Sequence, residues 1–163
     1  AAAHHVGVLP EIAAQALAEF RGVKRRLELL GEIAGVAVYD DFAHHPTAIA
    51  TTMQGLRARS ADGRVVALID PRSNTMRMGE HRALLAESTR EADRVYWFQP
   101  KGMEWSLQDV VDESSDASLA EDIDNLVAEV AANVQPGDQV VIMSNGGFGG
   151  IHDKLLAALE AAA

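Results

Sequence analysis

The pattern of apolar and polar positions predicts a chain in which strands and helices alternate. Three nearly continuous apolar runs have the pattern of strands that are buried on both faces: 64–70, 94–98 and 139–143. Five segments are predicted as helices: 10–20, 47–59, 80–91, 119–133 and 151–163. Strands that alternate with helices through short connections favour a parallel sheet that is covered by helices on both faces.

Two shorter apolar segments precede these strands and are predicted to pair with each other. They are residues 26–30 and 36–40, and they flank a glycine-containing turn expected at 31–35. Between residues 100 and 116 the apolar residues show no clear helical or strand spacing, so we expect a loop with a short helix there. The pattern as a whole predicts a Rossmann-like α/β domain, with a mostly parallel sheet, helices on both faces and a preceding strand pair.

The first twenty residues differ in character from the rest of the chain. Three alanines open it without a starting methionine, and Pro10 begins a short apolar-periodic helix that ends near Gly22. We therefore expect residues 1–20 to be the end of a preceding domain or a linker helix. Residues 21–163 are then expected to form the main domain.

Composition and charge exclude several classes of protein. The absence of cysteine excludes a disulfide framework, a thiol nucleophile and thiolate metal ligands. A formal charge of −10 disfavours a general nucleic-acid binder, which needs a basic surface. No apolar run reaches the roughly 18 to 20 residues that span a bilayer. No secretory signal is visible either, so we expect a cytoplasmic protein without a membrane segment.

Three polar loops follow predicted strands, and the carboxyl ends of such strands are where this architecture gathers ligands. Residues 40–46 hold two aspartates and two histidines, but side chains of neighbours on an extended loop diverge, so we expect no metal site. Residues 70–79 carry arginine forks suited to a carboxylate or a phosphate. Residues 144–150 form a glycine-rich turn before a helix, where backbone amides can bind an anion.

Each of these loops also has an ordinary structural explanation. The first can be a capped turn before a helix, the second a polar surface loop and the third a generic glycine turn. The glycine spacing matches neither the dinucleotide motif nor the P-loop. The residues alone therefore predict an α/β domain whose strand-end loops could bind an anionic ligand.

Four segments together resemble the C-terminal domain of the Mur ligase family. FRGVKRRLE, from Phe20, resembles the junction between the central and C-terminal domains, and DDFAHHPTAI, from Asp40, resembles the DDYGHHPTE segment of alanine-adding members. PRSNTMRMG and SNGGFGGIHDKLL, from Pro71 and Ser144, resemble the members that attach a peptide. One departure is Asp70, which stands where the resemblance leads us to expect glutamate.

The resemblance implies an ATP-dependent ligase that joins UDP-N-acetylmuramate to the tripeptide L-alanyl-γ-D-glutamyl-meso-diaminopimelate through an acyl phosphate, in peptidoglycan recycling. ATP and Mg²⁺ would be held mainly by the central domain, whose P-loop motif is absent from these 163 residues. The fragment is therefore expected to be inactive without its own N-terminal and central domains. Two alternatives stay open: an alanine-adding ligase of the same family, or a non-catalytic anion- or nucleotide-binding α/β module.

The resemblance also implies roles for particular residues. Arg26 and Asp41 would face ATP, the arginine towards phosphate and the aspartate towards ribose. His44 and His45 would lie near the reacting centre. A larger set would contact the incoming peptide: Arg72, Asn74, Arg77, Ser144, Asn145, Gly146 and Gly147.

Overall fold

Six strands form one sheet in the order β1-β2-β6-β3-β4-β5. The computed structural model describes residues 2–20, 22–60 and 63–163. Its strands are β1 Glu28–Ile33, β2 Val36–Asp41, β3 Val65–Ile69, β4 Arg94–Phe98, β5 Ala117–Ala120 and β6 Gln139–Met143. Every neighbouring pair is parallel except β1 and β2, which are antiparallel. The predicted mostly parallel sheet with a strand pair at its start is therefore confirmed.

The described residues form eight α-helices, of which the last six cover both faces of this sheet. They are α1 Ala2–His5, α2 Pro10–Ala18, α3 Pro46–Arg59, α4 Asn74–Arg77, α5 Arg82–Ser88, α6 Gln108–Glu113, α7 Ile123–Asn133 and α8 Ile151–Ala162. Successive side chains of a strand point to opposite faces, and β3 follows this rule. Val65, Ala67 and Ile69 pack in one core with α3, α5 and α6, whereas Val66 and Leu68 pack in a second core with α7 and α8. The prediction of helices on both faces is confirmed.

Several predicted boundaries differ from the structure: the first strand begins at Glu28, the helix expected at 80–91 is Arg82–Ser88, and the loop 70–79 contains α4. Two other differences have a clear cause. The segment 119–133 was expected to be one helix, but its first residues belong to β5, and α7 begins only at Ile123. Asp122 sets that boundary, because its carboxylate accepts the Asn125 amide proton at 2.9 Å and caps the helix. The turn expected at 31–35 is also shorter, since β1 continues to Ile33 and leaves a two-residue hairpin turn.

The first helices contribute nothing to either core. Neither α1 nor α2 contains a buried residue. Five large apolar side chains of this segment are exposed: Val6, Leu9, Ile12, Leu17 and Phe20. Among the described residues, no helix has both the length and the apolar character that a membrane crossing requires.

Candidate functional site

The three polar loops emerge side by side at one edge of the sheet. Asp41, Ile69 and Met143 end adjacent parallel strands and lie in register with one another. Backbone bonds continue this contact past the strand ends, because the Asp70 amide donates to the Met143 carbonyl at 3.0 Å and the Ser144 amide donates to the Asp41 carbonyl at 3.2 Å. The loops that begin after these strands therefore share one crevice.

A buried pair ties the second loop to the third. The Ser144 hydroxyl donates to an Asp70 carboxylate oxygen at 2.9 Å and accepts the Gly146 amide proton at 3.0 Å. Asp70 is 4% exposed. Burial raises the pKa of Asp70, while the hydrogen bond from Ser144 and the charge of Arg72 act against that rise. Asp70, which stands where glutamate was expected, thus links two loops within the domain.

Arg72 lies directly on the backbone of the glycine-rich loop. A Cβ atom placed on Gly146 would be 2.7 Å from Cδ of Arg72 and 3.0 Å from its Nε. That approach is closer than carbon contacts allow, so a glycine is required at this position for Arg72 to keep its place. The structure therefore brings together two of the predicted peptide-binding residues.

A cavity of about 190 Å³ opens beside this contact. Arg72, Arg77 and Lys101 line it with positive charge, Asp70 adds one carboxylate, and Phe98 and Phe148 give it an apolar wall. Such a mixture of a few charged groups with aromatic surface is typical of a small-ligand site. Phe98 ends β4, so the rule that ligands gather at strand ends could have drawn attention to the loop after that strand as well.

Other predicted peptide contacts lie outside the wall of this cavity. Asn74 is exposed at the start of α4, and Gly147 is exposed in the loop before α8. Ser144 is fully buried beneath the loop. The side-chain oxygen of Asn145 is buried and has no donor among the described residues, which leaves an acceptor to be satisfied. Their contacts with a peptide stay predictions.

Asp41 uses both carboxylate oxygens within the domain. One oxygen accepts the Leu27 amide proton at 2.8 Å. The other accepts from the Ala43 amide at 2.8 Å and from the Thr52 hydroxyl at 3.2 Å. The side chain is 4% exposed, and it fixes the segment before β1 to the turn after β2. Both of its carboxylate oxygens already accept hydrogen bonds within the domain, and its expected contact with ATP stays a prediction.

Arg26 and Arg25 both lie near the Phe42 ring, with guanidinium carbons 5.4 and 5.2 Å from its centre, but they differ in their other contacts. Arg26 is exposed. Arg25 instead turns inward, pairs with Asp40 at 3.0 Å and donates to the Ser144 carbonyl at 2.7 Å and the Gly146 carbonyl at 3.0 Å. The sequence analysis missed Arg25, because a run of four cations does not reveal which member faces inward.

The backbone around Arg25 is unusual and is held by several hydrogen bonds. Arg25 and Leu27 have φ values of 57° and 45°, a region that side chains other than glycine rarely adopt. The Arg25 amide donates to the Glu28 carboxylate at 2.7 Å, and the Phe42 amide donates to the Arg25 carbonyl at 3.0 Å. Asp40 also contacts His152 of α8 at 3.2 Å, so one carboxylate joins the junction to two parts of the domain.

His44 and His45 both use Nδ1 within the domain and differ in what the remaining nitrogen, Nε2, carries. His44 donates from Nδ1 to the Phe42 carbonyl at 2.9 Å, so its neutral ring carries the lone pair on Nε2. His45 precedes α3 and accepts the Thr47 amide proton on Nδ1 at 3.4 Å, so its neutral ring carries a proton on Nε2. Its ring also lies against His81, with ring centres 4.3 Å apart.

A second, larger cavity of about 580 Å³ lies at the junction before β1. Lys24, Arg26 and Arg59 supply its positive charge, Glu28 adds one carboxylate, and most of the remaining lining is apolar and includes Phe20 and Val23. The part of the chain that the structure describes contains no group of three or more His, Cys, Asp or Glu side chains that could hold a metal ion.

Comparisons with known proteins identify this arrangement. A family model described as "Mur ligase, glutamate ligase domain" matches residues 25–146. The UDP-N-acetylmuramate–L-alanyl-γ-D-glutamyl-meso-2,6-diaminoheptandioate ligase of Escherichia coli K12 is 50% identical over 161 residues, which are 98% of this chain and 35% of that protein. A UDP-N-acetylmuramate–L-alanine ligase of Mycobacterium sp. strain JLS is 36% identical over 179 residues, covering 99% of this chain and 35% of that protein. The chain thus spans about a third of the length of these curated relatives.

Solved structures agree with the sequence comparison. The murein peptide ligase of Psychrobacter arcticus 273-4 is 44% identical, with a TM-score of 0.78 over 98% of this chain and 35% of that one. A domain assigned to a ligase of the same peptide from Haemophilus ducreyi is 42% identical, with a TM-score of 0.71 over 82% of this chain and 99% of that one. The chain therefore belongs to the Mur ligase family and carries the C-terminal, glutamate ligase domain of that family.

Proposed function

We propose that this chain is the peptide-binding domain of an ATP-dependent ligase that joins UDP-N-acetylmuramate to L-alanyl-γ-D-glutamyl-meso-diaminopimelate. The observation that carries the proposal is the cavity of about 190 Å³ with Arg72 and Arg77 in its wall. The higher identity to the E. coli ligase of that peptide than to the L-alanine ligase supports a peptide over a single amino acid. Peptidoglycan recycling in the cytoplasm is part of the same proposal.

The chemistry of the cavity suits a ligand with several carboxylates. Arginine presents a planar fork that binds a carboxylate through two parallel hydrogen bonds. Arg72 rests on Gly146, and Arg77 donates one nitrogen to the Gly102 carbonyl at 3.0 Å, so both side chains are positioned before a ligand arrives. A site that is ordered in advance loses less entropy when it binds.

The cavity at the junction suits the phosphates of ATP. Arg26, with Lys24 and Arg59 beside it, would face the nucleotide, and Asp41 would keep that segment in place through its bond to the Leu27 amide. ATP supplies the phosphoryl group that activates the muramate carboxylate. In this proposal, Mg²⁺ is held together with ATP mainly by the central domain of the full-length ligase.

The two histidines would act on the attacking amine in different ways. Amide formation requires the amine to lose a proton, and a neutral imidazole with a free lone pair can accept it. Nε2 of His44 offers that lone pair, whereas Nε2 of His45 offers a proton to an oxygen. We therefore assign proton acceptance to His44 and hydrogen-bond donation to His45.

The domain boundary proposed from the sequence fits this function. Residues 1–20 would end the preceding domain, and residues 21–163 would form the peptide-binding domain. The apolar side chains that α2 and its flanks leave exposed support the presence of a neighbour on that side. In this proposal, the neighbour is the central domain that holds most of the ATP site.

A substrate comparison tests the proposal directly. The full-length ligase that contains this domain is supplied with ATP and UDP-N-acetylmuramate, together with either the tripeptide or L-alanine, and the products are measured by mass spectrometry. We expect the tripeptide adduct and ADP in equal amounts, and we expect no turnover by the isolated 163-residue chain. Preferential addition of L-alanine, or ligation by the isolated chain, would contradict the proposal.

A further inference from the structure

The basic residues divide sharply by whether they have an acidic partner. Seven of those that the structure describes make ion pairs: Arg25, Arg57, Arg64, Arg82, Arg90, Arg94 and Lys154. Six make none with any described residue: Lys24, Arg26, Arg59, Arg72, Arg77 and Lys101. Acidic side chains are abundant in a chain of net charge −10, and one of them lies near this set, since the charge of Arg72 acts on Asp70.

The six cations gather in two cavities, three in each. One group lines the cavity at the junction, and the other group, Arg72, Arg77 and Lys101, lines the cavity of about 190 Å³. Each cavity also has one carboxylate in its lining, Glu28 at the junction and Asp70 beside Arg72. Three cations outnumber that carboxylate in each cavity, so the local potential is positive and attracts an anion. The second cavity therefore has a third basic residue, Lys101, that the sequence motifs did not indicate.

The loop that carries Lys101 is fastened to the segment that carries Arg77. The Trp105 indole donates to the Met76 carbonyl at 3.1 Å, and Arg77 donates to the Gly102 carbonyl at 3.0 Å. Gln99 closes the loop on itself through bonds to the Trp105 carbonyl and the Leu107 amide, at 3.0 and 2.8 Å. These contacts fix the backbone at Lys101 relative to Arg77, so the two charges form one recognition unit.

The ligand in the proposed function has matching charges. A γ-linked glutamate keeps its α-carboxylate, and a diaminoheptandioate attached through one amine keeps both of its carboxylates. The tripeptide therefore carries three carboxylates, whereas L-alanine carries one. We propose that Lys101 is a specificity-determining residue that pairs with a carboxylate beyond the first residue of the peptide. This inference rests on the proposed function and deepens it.

Steady-state kinetics of the full-length ligase test the role of Lys101. Lys101→Met removes the charge and keeps the length of an exposed side chain, and Lys154→Met is the matched control, since Lys154 pairs with Asp124 outside the cavity. We expect Lys101→Met to raise the tripeptide KM about tenfold, equivalent to about 1.4 kcal/mol. The kcat and the KM values of ATP and UDP-N-acetylmuramate should stay within about twofold, and Lys101→Arg should restore most of the tripeptide affinity.

Amidated peptides identify the partner carboxylate. Three tripeptides, each with a different carboxylate converted to an amide, are compared in the parent enzyme and in Lys101→Met. For one of these peptides, Lys101→Met should not raise the KM further, because the amide has already removed the carboxylate that pairs with Lys101. An unchanged tripeptide KM in Lys101→Met, or an equal rise in Lys154→Met, would overturn the role of Lys101 alone. Absence of tripeptide ligation by the parent enzyme would overturn the proposed function and this inference with it.

Discussion

Gly146→Ala should displace Arg72 without changing any charge. The new Cβ would lie 2.7 Å from Cδ of Arg72, and ordinary contact begins at 3.4 Å, so the arginine side chain must retreat by about 0.7 Å or more. Gly146 does not have a positive φ, so alanine fits its backbone conformation. The substitution therefore tests the position of Arg72, whereas removal of the arginine would test its charge.

The expected effect on stability is small. Replacing glycine by alanine gains about 0.4 to 1 kcal/mol from the unfolded chain. Moving an exposed arginine away from its preferred rotamer costs about 0.5 to 1.5 kcal/mol, so the free energy of unfolding should change by less than about 1 kcal/mol. The effect on the peptide should be larger, because charged hydrogen bonds contribute about 1.5 to 3 kcal/mol and depend on alignment.

We expect the tripeptide KM of the full-length ligase to rise about tenfold, since a misplacement near 1 Å can weaken a positioned contact by that amount or more. Gly55→Ala in α3 is the control, because Gly55 is outside the predicted site, has no positive φ and has only an ordinary contact at its Cβ position, 3.7 Å from Cδ1 of Leu27. Urea denaturation measures stability, and steady-state kinetics measure the KM. Equal tripeptide KM values for the two alanine variants would refute the reasoning.

Three further predictions concern the junction, the second loop and pH. Arg25→Ala should lower the free energy of unfolding by about 2 to 4 kcal/mol, because it removes three hydrogen bonds and leaves a buried carboxylate short of a partner. Arg26→Ala should lower the free energy of unfolding by less than about 1 kcal/mol in the same urea titration, but it should impair turnover at limiting ATP. Equal stabilities of the Arg25→Ala and Arg26→Ala variants would contradict this prediction. Arg72→Lys should raise the tripeptide KM far more than the ATP KM, because an ammonium cannot form the bidentate fork, and an unchanged tripeptide KM would remove Arg72 from the site. Burial acts to raise the pKa of Asp93, but hydrogen bonds from Arg57 and a backbone amide hold it below its ordinary value of 3.8. A carboxyl with a lowered pKa stabilises the fold at pH values above 3.8, and this stabilisation is lost as the pH falls through the pKa of the folded state. Asp93→Asn should therefore destabilise the domain at neutral pH and do so less in acid. Urea titrations at several pH values measure this difference.

The sequence predicted strands best where both faces are buried. The continuous apolar runs of β3, β4 and β6 leave no alternative to a central parallel strand, and their observed bounds differ from the predicted ones by at most one residue. By contrast, Ala117–Ala120 forms a short edge strand whose side chains are all half-buried. Such a segment has neither a continuous apolar run nor an alternating pattern, so its residues could equally open the helix that follows.

Residues of the candidate site were predictable where they follow a strand in the sequence. They were missed where their position depends on contacts between distant parts of the chain. Arg72 and Arg77 come directly after an apolar run, and sequence position alone placed them at the ligand edge. Lys101 reaches the same cavity because Trp105 bonds to the Met76 carbonyl, a contact between residues that no local pattern connects. The inward turn of Arg25 likewise depends on a left-handed φ that its residue type does not indicate.

The fastening of Arg25 also determines where the two parts of a ligase can rotate against each other. From Arg25 onward, the backbone is bonded to Glu28, Asp41 and Phe42, so torsion angles there cannot change without breaking those bonds. Gly22, with a φ of 89° and open space around its Cβ position, lies just before this fixed stretch. The Arg26 amide also donates to the Val23 carbonyl at 3.1 Å, so the fixed stretch begins there. A pivot at Gly22 would therefore move Arg26 and the cavity lined by Arg72 and Arg77 as one rigid body. In the proposed ligase, each closing motion would then deliver the Arg26 guanidinium and the peptide at the same moment.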